Sequence, residues 1–172
     1  DTNVLLIANE HHDNVSPECV EKCINFLLQT KKGGKVVIDD SYLILKEYQN
    51  KTSLNPAKGV GDVFLKELLR NAFNPKFCQQ VTIEEIEENK FAEFPDQALQ
   101  DSFDPADRIF PAVANAHHEK PPIWQAGDCK WLDWWPRLLE VGIKVVFVCP
   151  DEVCKFYQKK FPGKEVPSLP NE

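Results

Sequence analysis

Methionine is absent from the 172 residues, and the chain opens on Asp1. A reading frame starts with Met, so residues are expected ahead of Asp1. No apolar run approaches the ~18–20 residues that a membrane-spanning helix needs, which excludes an integral helical membrane protein. Positive charge is in short supply: 20 Lys and Arg face 27 Asp and Glu, a formal net charge of −7. Nucleic-acid binding through bulk positive charge is thereby disfavoured, although a local basic patch is not. The six cysteines lack any Cys-x-x-Cys pair. They read mostly as small buried hydrophobes of a reducing compartment. A zinc site joining them to His11, His12, His117 or His118 lacks the usual ligand spacing. No signal-peptide pattern stands out, so the expected location is cytoplasmic.

What is present is an ordinary globular composition, 42% hydrophobic and 27% charged. That balance excludes wholesale disorder and collagen-like arrays, and the length fits one domain over 1–172. Ser16-Pro17 opens a helix as N-cap and first helical residue. Val20, Cys23, Ile24, Leu27 and Leu28 then mark its apolar stripe, and Gly33-Gly34 ends it. Residues 35–39 (K-V-V-I-D) look like a buried strand, and a helix is expected over 41–50. Asp62 is expected to cap a helix carrying Phe64, Leu65 and Leu68. Thr82-Ile83-Glu84-Glu85 reads as a capping box. Asp104-Pro105-Ala106-Asp107 is another helix start, with Pro111 expected to kink or shorten that helix. Residues 123–126 and 143–149 read as strands around a Trp-rich helix, and a last helix is expected over 151–161 before a tail at 162–172.

Strand and helix alternate, which predicts an α/β fold: a mainly parallel central sheet with helices on both faces. Ligands of such sheets bind outside the carboxyl ends of the strands. Four acids gain interest from that rule: Asp1, Glu47, Asp107 and Asp128. Each also has a plainer reading. Asp107 fits a capping box, Asp128 an N-cap, and Glu47 a side chain snorkelling to solvent. Clustered carboxylates repel one another unless a cation offsets their charge. A hard divalent ion, Mg²⁺ or Mn²⁺, is the natural partner, and such a centre suits phosphodiester chemistry.

Four segments carry a family resemblance: D-T-N-V-L-L (1–6), Y-L-I-L-K-E-Y (42–48), D-P-A-D-R-I-F-P-A-V-A-N-A (104–116) and I-W-Q-A-G-D-C-K-W-L (123–132). Taken in order, they resemble the PIN-domain nucleases. That resemblance implies a three-layer α/β/α sandwich. It also implies a metal-dependent endonuclease preferring single strands, usually RNA. Catalytic and metal-binding roles would fall to Asp1, Glu47, Asp107 and Asp128, with Asn3 and Asp104 beside them. In the family a strand precedes the first acid, so a strand is expected ahead of Asp1. Residues 54–101 exceed what a compact member needs and are expected as a helical and loop insertion. Cys129 stands where small polar residues are more usual.

Phosphate contacts are expected from Arg108 and Lys130, with Lys46, Lys58 and Lys66 as weaker candidates. Trp131, Trp134 and Trp135 read as packing residues more readily than as a stacking face for bases. Expected partners are single-stranded RNA (or DNA), an antitoxin-like protein if the chain is a toxin, and a second copy in a homodimer. The competing function is a PIN-like module that binds RNA or protein without cleaving. An aspartyl phosphotransfer fold is disfavoured, because Thr2-Asn3 after Asp1 does not supply the Asp-x-Asp pair.

Overall fold

Residues 1–54 and 56–170 are described here, from a computed structural model. Helix α1 (Thr2–Ala8) starts directly after Asp1, whose carboxylate caps it, and buries Val4, Leu5 and Ile7. Helix α2 (Pro17–Gly33) begins as its sequence dictates: the Ser16 Oγ accepts the Cys19 N–H at 3.3 Å, and Pro17 needs no acceptor. Its stripe of Cys19, Cys23 and Leu27 is buried.

Strand β1 (Val36–Asp39) ends on a buried carboxylate. Asp39 accepts the Leu43 and Ile44 N–H groups at 2.7 and 2.9 Å, and so supplies the start of α3 (Leu43–Lys51). Helix α4 (Val60–Arg70) begins two residues before the expected cap. Asp62 instead lies in its first turn, fully buried. Its carboxylate accepts from Asn9 Nδ2 (2.7 Å), Lys58 N (2.9 Å) and Ser53 N (3.0 Å), tying the loop ahead of α4 to α1. Gly61 permits that close approach, because a Cβ there would strike the Leu5 carbonyl.

Strand β2 (Cys78–Val81) pairs in parallel with β1, Val36 opposite Cys78. Residues 54–101 thus include α4 and β2, the latter paired with β1. The capping box at 82–85 starts no helix. Glu85–Glu87 is β3, which pairs antiparallel with β4 (Lys90–Phe91). A helix there would set four acids of 84–88 at repelling spacings, and Thr82 Oγ1 donates to Asp40 instead, at 2.6 Å.

Helix α5 (Gln97–Gln100) leads to a 3-10 turn (Pro105–Asp107) and then α6 (Ile109–Ala116). Pro111 falls in the first turn of α6, where its missing N–H costs nothing, so the helix is neither kinked nor cut there. Strand β5 (Ile123–Gln125) pairs in parallel with β6 (Val145–Phe147). Helices α7 (Trp131–Glu140) and α8 (Pro150–Lys160) complete the described elements. The fold is thus mixed α/β with short parallel strand pairs. Among the described residues no helix is long and apolar enough to cross a membrane.

Trp131 and Trp134 are buried against Phe103, with ring centroids 5.4 and 4.0 Å from it, so these indoles pack the core. The reading of the cysteines is corrected for two of them. Cys19, in the first turn of α2, and Cys149, at the start of α8, form a disulfide with Cα atoms 5.5 Å apart. Their separation of 130 residues hides the pairing from any local spacing rule.

Candidate functional site

Asp104 and Asp107 stand at the two ends of the Pro105 turn, where the Asp107 N–H donates to the Asp104 carbonyl at 2.9 Å. Asp104 is the extended cap of the turn and Asp107 its last residue, so the turn keeps both carboxylates in one place. Asp128 arrives from the loop that follows β5. Gly127 turns that loop with φ +84°, a conformation that other residues rarely adopt. The fully buried Gln125 side chain fixes the turn by donating to the Asp128 carbonyl at 2.9 Å. Asp128 Oδ1 in turn accepts the Lys130 N–H at 2.9 Å. One carboxylate oxygen from each of Asp104, Asp107 and Asp128 lies within 4.8 Å of the others.

Asp107 bears the electrostatic cost of this arrangement. Burial pushes its carboxyl up from an ordinary 3.8 to about 7, and the charges of Asp128, Asp104 and Glu47 push the same way. The Asp1 nitrogen lies nearby and donates to the Trp124 carbonyl at 3.0 Å. Among the described residues no side-chain or backbone donor hydrogen-bonds to the Asp107 carboxylate. Asp104 is matched differently: Lys130 Nζ donates to both its oxygens, at 2.6 and 2.5 Å, and that pairing holds the Lys130 ammonium above its usual range.

Two of the four principal acids, Asp107 and Asp128, are therefore brought together, and Asp104 joins them as a full member. Glu47, on α3, lies close enough to raise the Asp107 pKa but outside the tight group, and burial raises its own carboxyl. The Asp1 carboxylate is also outside the group; both its oxygens turn to Asn3, at 3.4 Å from its N and Nδ2. Asn3 thereby supports Asp1 in capping α1. Arg108 does not face the carboxylates as a free cation. Its guanidinium donates to the Phe103 and Asn89 carbonyls at 3.2 and 3.4 Å, holding the β3–β4 turn. Lys130 is the basic residue at the cluster.

The donor set is all oxygen, which suits a hard divalent cation and not a soft one. A half-buried carboxylate with no hydrogen-bond donor among the described residues, crowded by two others, is a setting in which a cation relieves repulsion. The other group close enough to share an ion, Cys19, Cys23 and Cys149, already holds the disulfide. In the sequence Asp104 stands only beside the expected ligands, and the signal for its place is the three-residue spacing across Asp-Pro-Ala-Asp. No protein-family model, curated protein or solved structure matches the chain.

Proposed function

We propose that the chain is a Mg²⁺- or Mn²⁺-dependent endonuclease of PIN-like three-layer architecture, acting on single-stranded nucleic acid, RNA foremost. The observation that carries the reading is the meeting of Asp104, Asp107 and Asp128 within 4.8 Å, with Asp107 raised to about 7. Asp107 and Asp128 would hold the ion, with Asp104 beside them and Glu47 next in line. An ion there would supply a bound water of lowered pKa and a counter-charge for a phosphodiester. The chain's own groups supply the remainder. Glu47, whose carboxyl burial already raises, is suited to accept a proton from the attacking water. Lys130 exchanges its Asp104 pairing for a non-bridging phosphate oxygen, placing one positive charge on the strand to be cut.

A second reading has its own observation. Lys130 already neutralises Asp104, and the Asp1 carboxylate caps α1, so the group in hand is smaller than the four acids the resemblance implies. That favours a module that holds RNA and cleaves it weakly or not at all. The test is cleavage of a fluorescently labelled single-stranded RNA with Mn²⁺, with chelator, and with Asp107→Asn and Asp128→Asn variants shown to be folded by circular dichroism. Metal-dependent cleavage lost in both variants supports the nuclease. Equal cleavage in chelator, or in the variants, refutes it. RNA binding without cleavage at any metal concentration favours the module.

A further inference from the structure

Three sulfurs meet at the N-terminal ends of α2 and α8: Cys19 and Cys149, joined in a disulfide, and Cys23, a free thiol. All three residues are buried. Their Sγ atoms lie within 4.8 Å of one another, and among the described residues no fourth ligand atom from His, Cys, Asp or Glu joins them.

A cross-link between α2 and α8 needs two cysteines, and any small apolar side chain would fill the place of the third. Cys23 nevertheless follows Cys19 by one helical turn, which puts both on one face of α2. Its sulfur is 4.0 Å from the Cys149 Sγ. A thiophilic ion binds sulfur at about 2.3 Å, so three thiolates around it stand about 4 Å apart. Cys23 and Cys149 already hold that separation, and Cys19 lies within reach of both. The charge of such a group has local support. Cys19 is in the first turn of α2 and Cys149 is the N-cap of α8, so the positive ends of two helices lie at the sulfurs. Burial pushes the Cys23 thiol up to about 12, so without an ion it keeps its proton. A bound cation displaces that proton, because a coordinating thiol is deprotonated outright.

We propose that Cys19, Cys23 and Cys149 form a redox-gated site for a soft cation, Cu(I) foremost, that opens when the disulfide is reduced. All-sulfur ligation selects Cu(I) or Zn²⁺ over harder ions. Three thiolates satisfy Cu(I), whereas Zn²⁺ takes four ligands and the cluster offers no fourth. Disulfide and ion exclude each other. Two molecules of a low-molecular-weight thiol reduce the Cys19–Cys149 bond: their sulfurs leave joined as a small disulfide, and their protons pass to Cys19 and Cys149. The three cysteines then bind one Cu(I) and release their protons to water as the copper–sulfur bonds form. In the reverse direction a small disulfide accepts two electrons, the Cys19–Cys149 bond re-forms and the ion leaves. The three sulfurs stand apart from the carboxylates, and the inference is independent of the nuclease reading.

The test uses the full chain, reduced with a phosphine, desalted under nitrogen, and titrated with Cu(I) supplied as its acetonitrile complex against a chromogenic Cu(I) chelator. The reduced chain should take up one Cu(I) and the oxidised chain none. X-ray absorption should show three sulfurs at about 2.3 Å. Cys23→Ala, which leaves the disulfide pair intact, should weaken binding at least ~tenfold, since even outer-shell partners of a metal are worth that much. Cys78→Ala and Cys129→Ala should bind as the parent does, with circular dichroism confirming the fold of each variant. Equal binding by Cys23→Ala, by the oxidised chain, or a loss confined to Cys78→Ala or Cys129→Ala overturns the site. Fewer than three sulfurs on copper in the parent does so without any variant. Tighter retention of Zn²⁺ than of Cu(I) against matched chelators overturns the choice of ion.

Discussion

Replacing Asp107 by Asn should change the pH dependence of stability in a defined window. In the folded chain, burial and the neighbouring Asp128 and Asp104 raise this carboxyl from 3.8 to about 7. The folded state therefore keeps a proton that the unfolded state releases. Its stabilising effect is complete below the unfolded value and is lost as pH rises through the folded one. At about 1.36 kcal/mol per pH unit, the loss between 3.8 and about 7 is at most on the order of 4 kcal/mol. Partial exposure of the side chain makes that an upper figure. Asn keeps the shape and removes the titration. In chelator, Asp107→Asn should match the parent near pH 4 and exceed it by up to that amount at pH 8. Urea melts at successive pH values read the difference directly. Saturating Mn²⁺ should narrow the gap: an ion at 100 times its dissociation constant adds about 2.7 kcal/mol to the parent, and much less to the variant. If Asp107→Asn is less stable than the parent at pH 8 in chelator, the crowding argument is wrong.

Lys130→Met should lower stability in chelator by about 1 kcal/mol, since the Lys130–Asp104 pair is partly exposed. It should also enlarge the Mn²⁺-induced rise in Tm, and an unchanged metal response would show that Lys130 does not offset the cluster's charge. Asp62→Ala should cost about 3 kcal/mol or more by chemical denaturation, because the donors on Asn9, Lys58 and Ser53 lose their buried acceptor. Burial alone would raise the Asp62 carboxyl, but the backbone N–H groups of Lys58 and Ser53, with the Asn9 amide, hold it below its usual value. Its contribution is present above the ordinary pKa and lost as pH falls through the depressed one, so the variant should also flatten the acid limb of the stability profile. Reduction of Cys19–Cys149, or Cys149→Ala, should cost about 2–5 kcal/mol in a thermal melt, and equal melting with and without reductant would rule the bond out.

The elements that were legible in the sequence are those whose own residues carry the signal. Ser16-Pro17 and the apolar stripe of α2 specify a helix before any tertiary contact is known, and the V-V-I run of β1 specifies a strand. Strand β2 was not legible. Cys-Gln-Gln-Val has no apolar run, and it becomes a strand because its backbone completes the ladder of β1. The same tertiary override moved Thr82–Glu85 out of a helix and Asp62 from a cap into the core. At the candidate site, Asp128 lies just past the carboxyl end of β5, where ligands of parallel strands gather, whereas Asp107 ends a 3-10 turn and owes its place to none of those strands. Whether Asp104 joins them depends on a 3-10 turn rather than an α-helical first turn, and Asp-Pro-Ala-Asp supports both. Arg108 and Lys130 were both phosphate candidates in the sequence, one adjoining Asp107 and the other two residues past Asp128. Geometry separates them, sending one ammonium to Asp104 and one guanidinium to backbone carbonyls.

The net charge of −7 takes on a local meaning at Asp107. With no ion bound, a group titrating at about 7 is close to half protonated at neutral pH, so a proton already does part of what a cation would do. Metal and proton then compete for one site, and uptake of a divalent ion must release the proton. Apparent Mn²⁺ affinity should therefore climb by nearly tenfold per pH unit well below 7 and level off above it. Titration calorimetry in two buffers of different ionisation enthalpy would count the proton released. Release near one at pH 6, fading by pH 8, is what Asp107 as a ligand requires. Release that does not vary with pH, or affinity that stays flat from pH 6 to 8, would place the ion elsewhere and leave the three carboxylates as a feature of the turn alone.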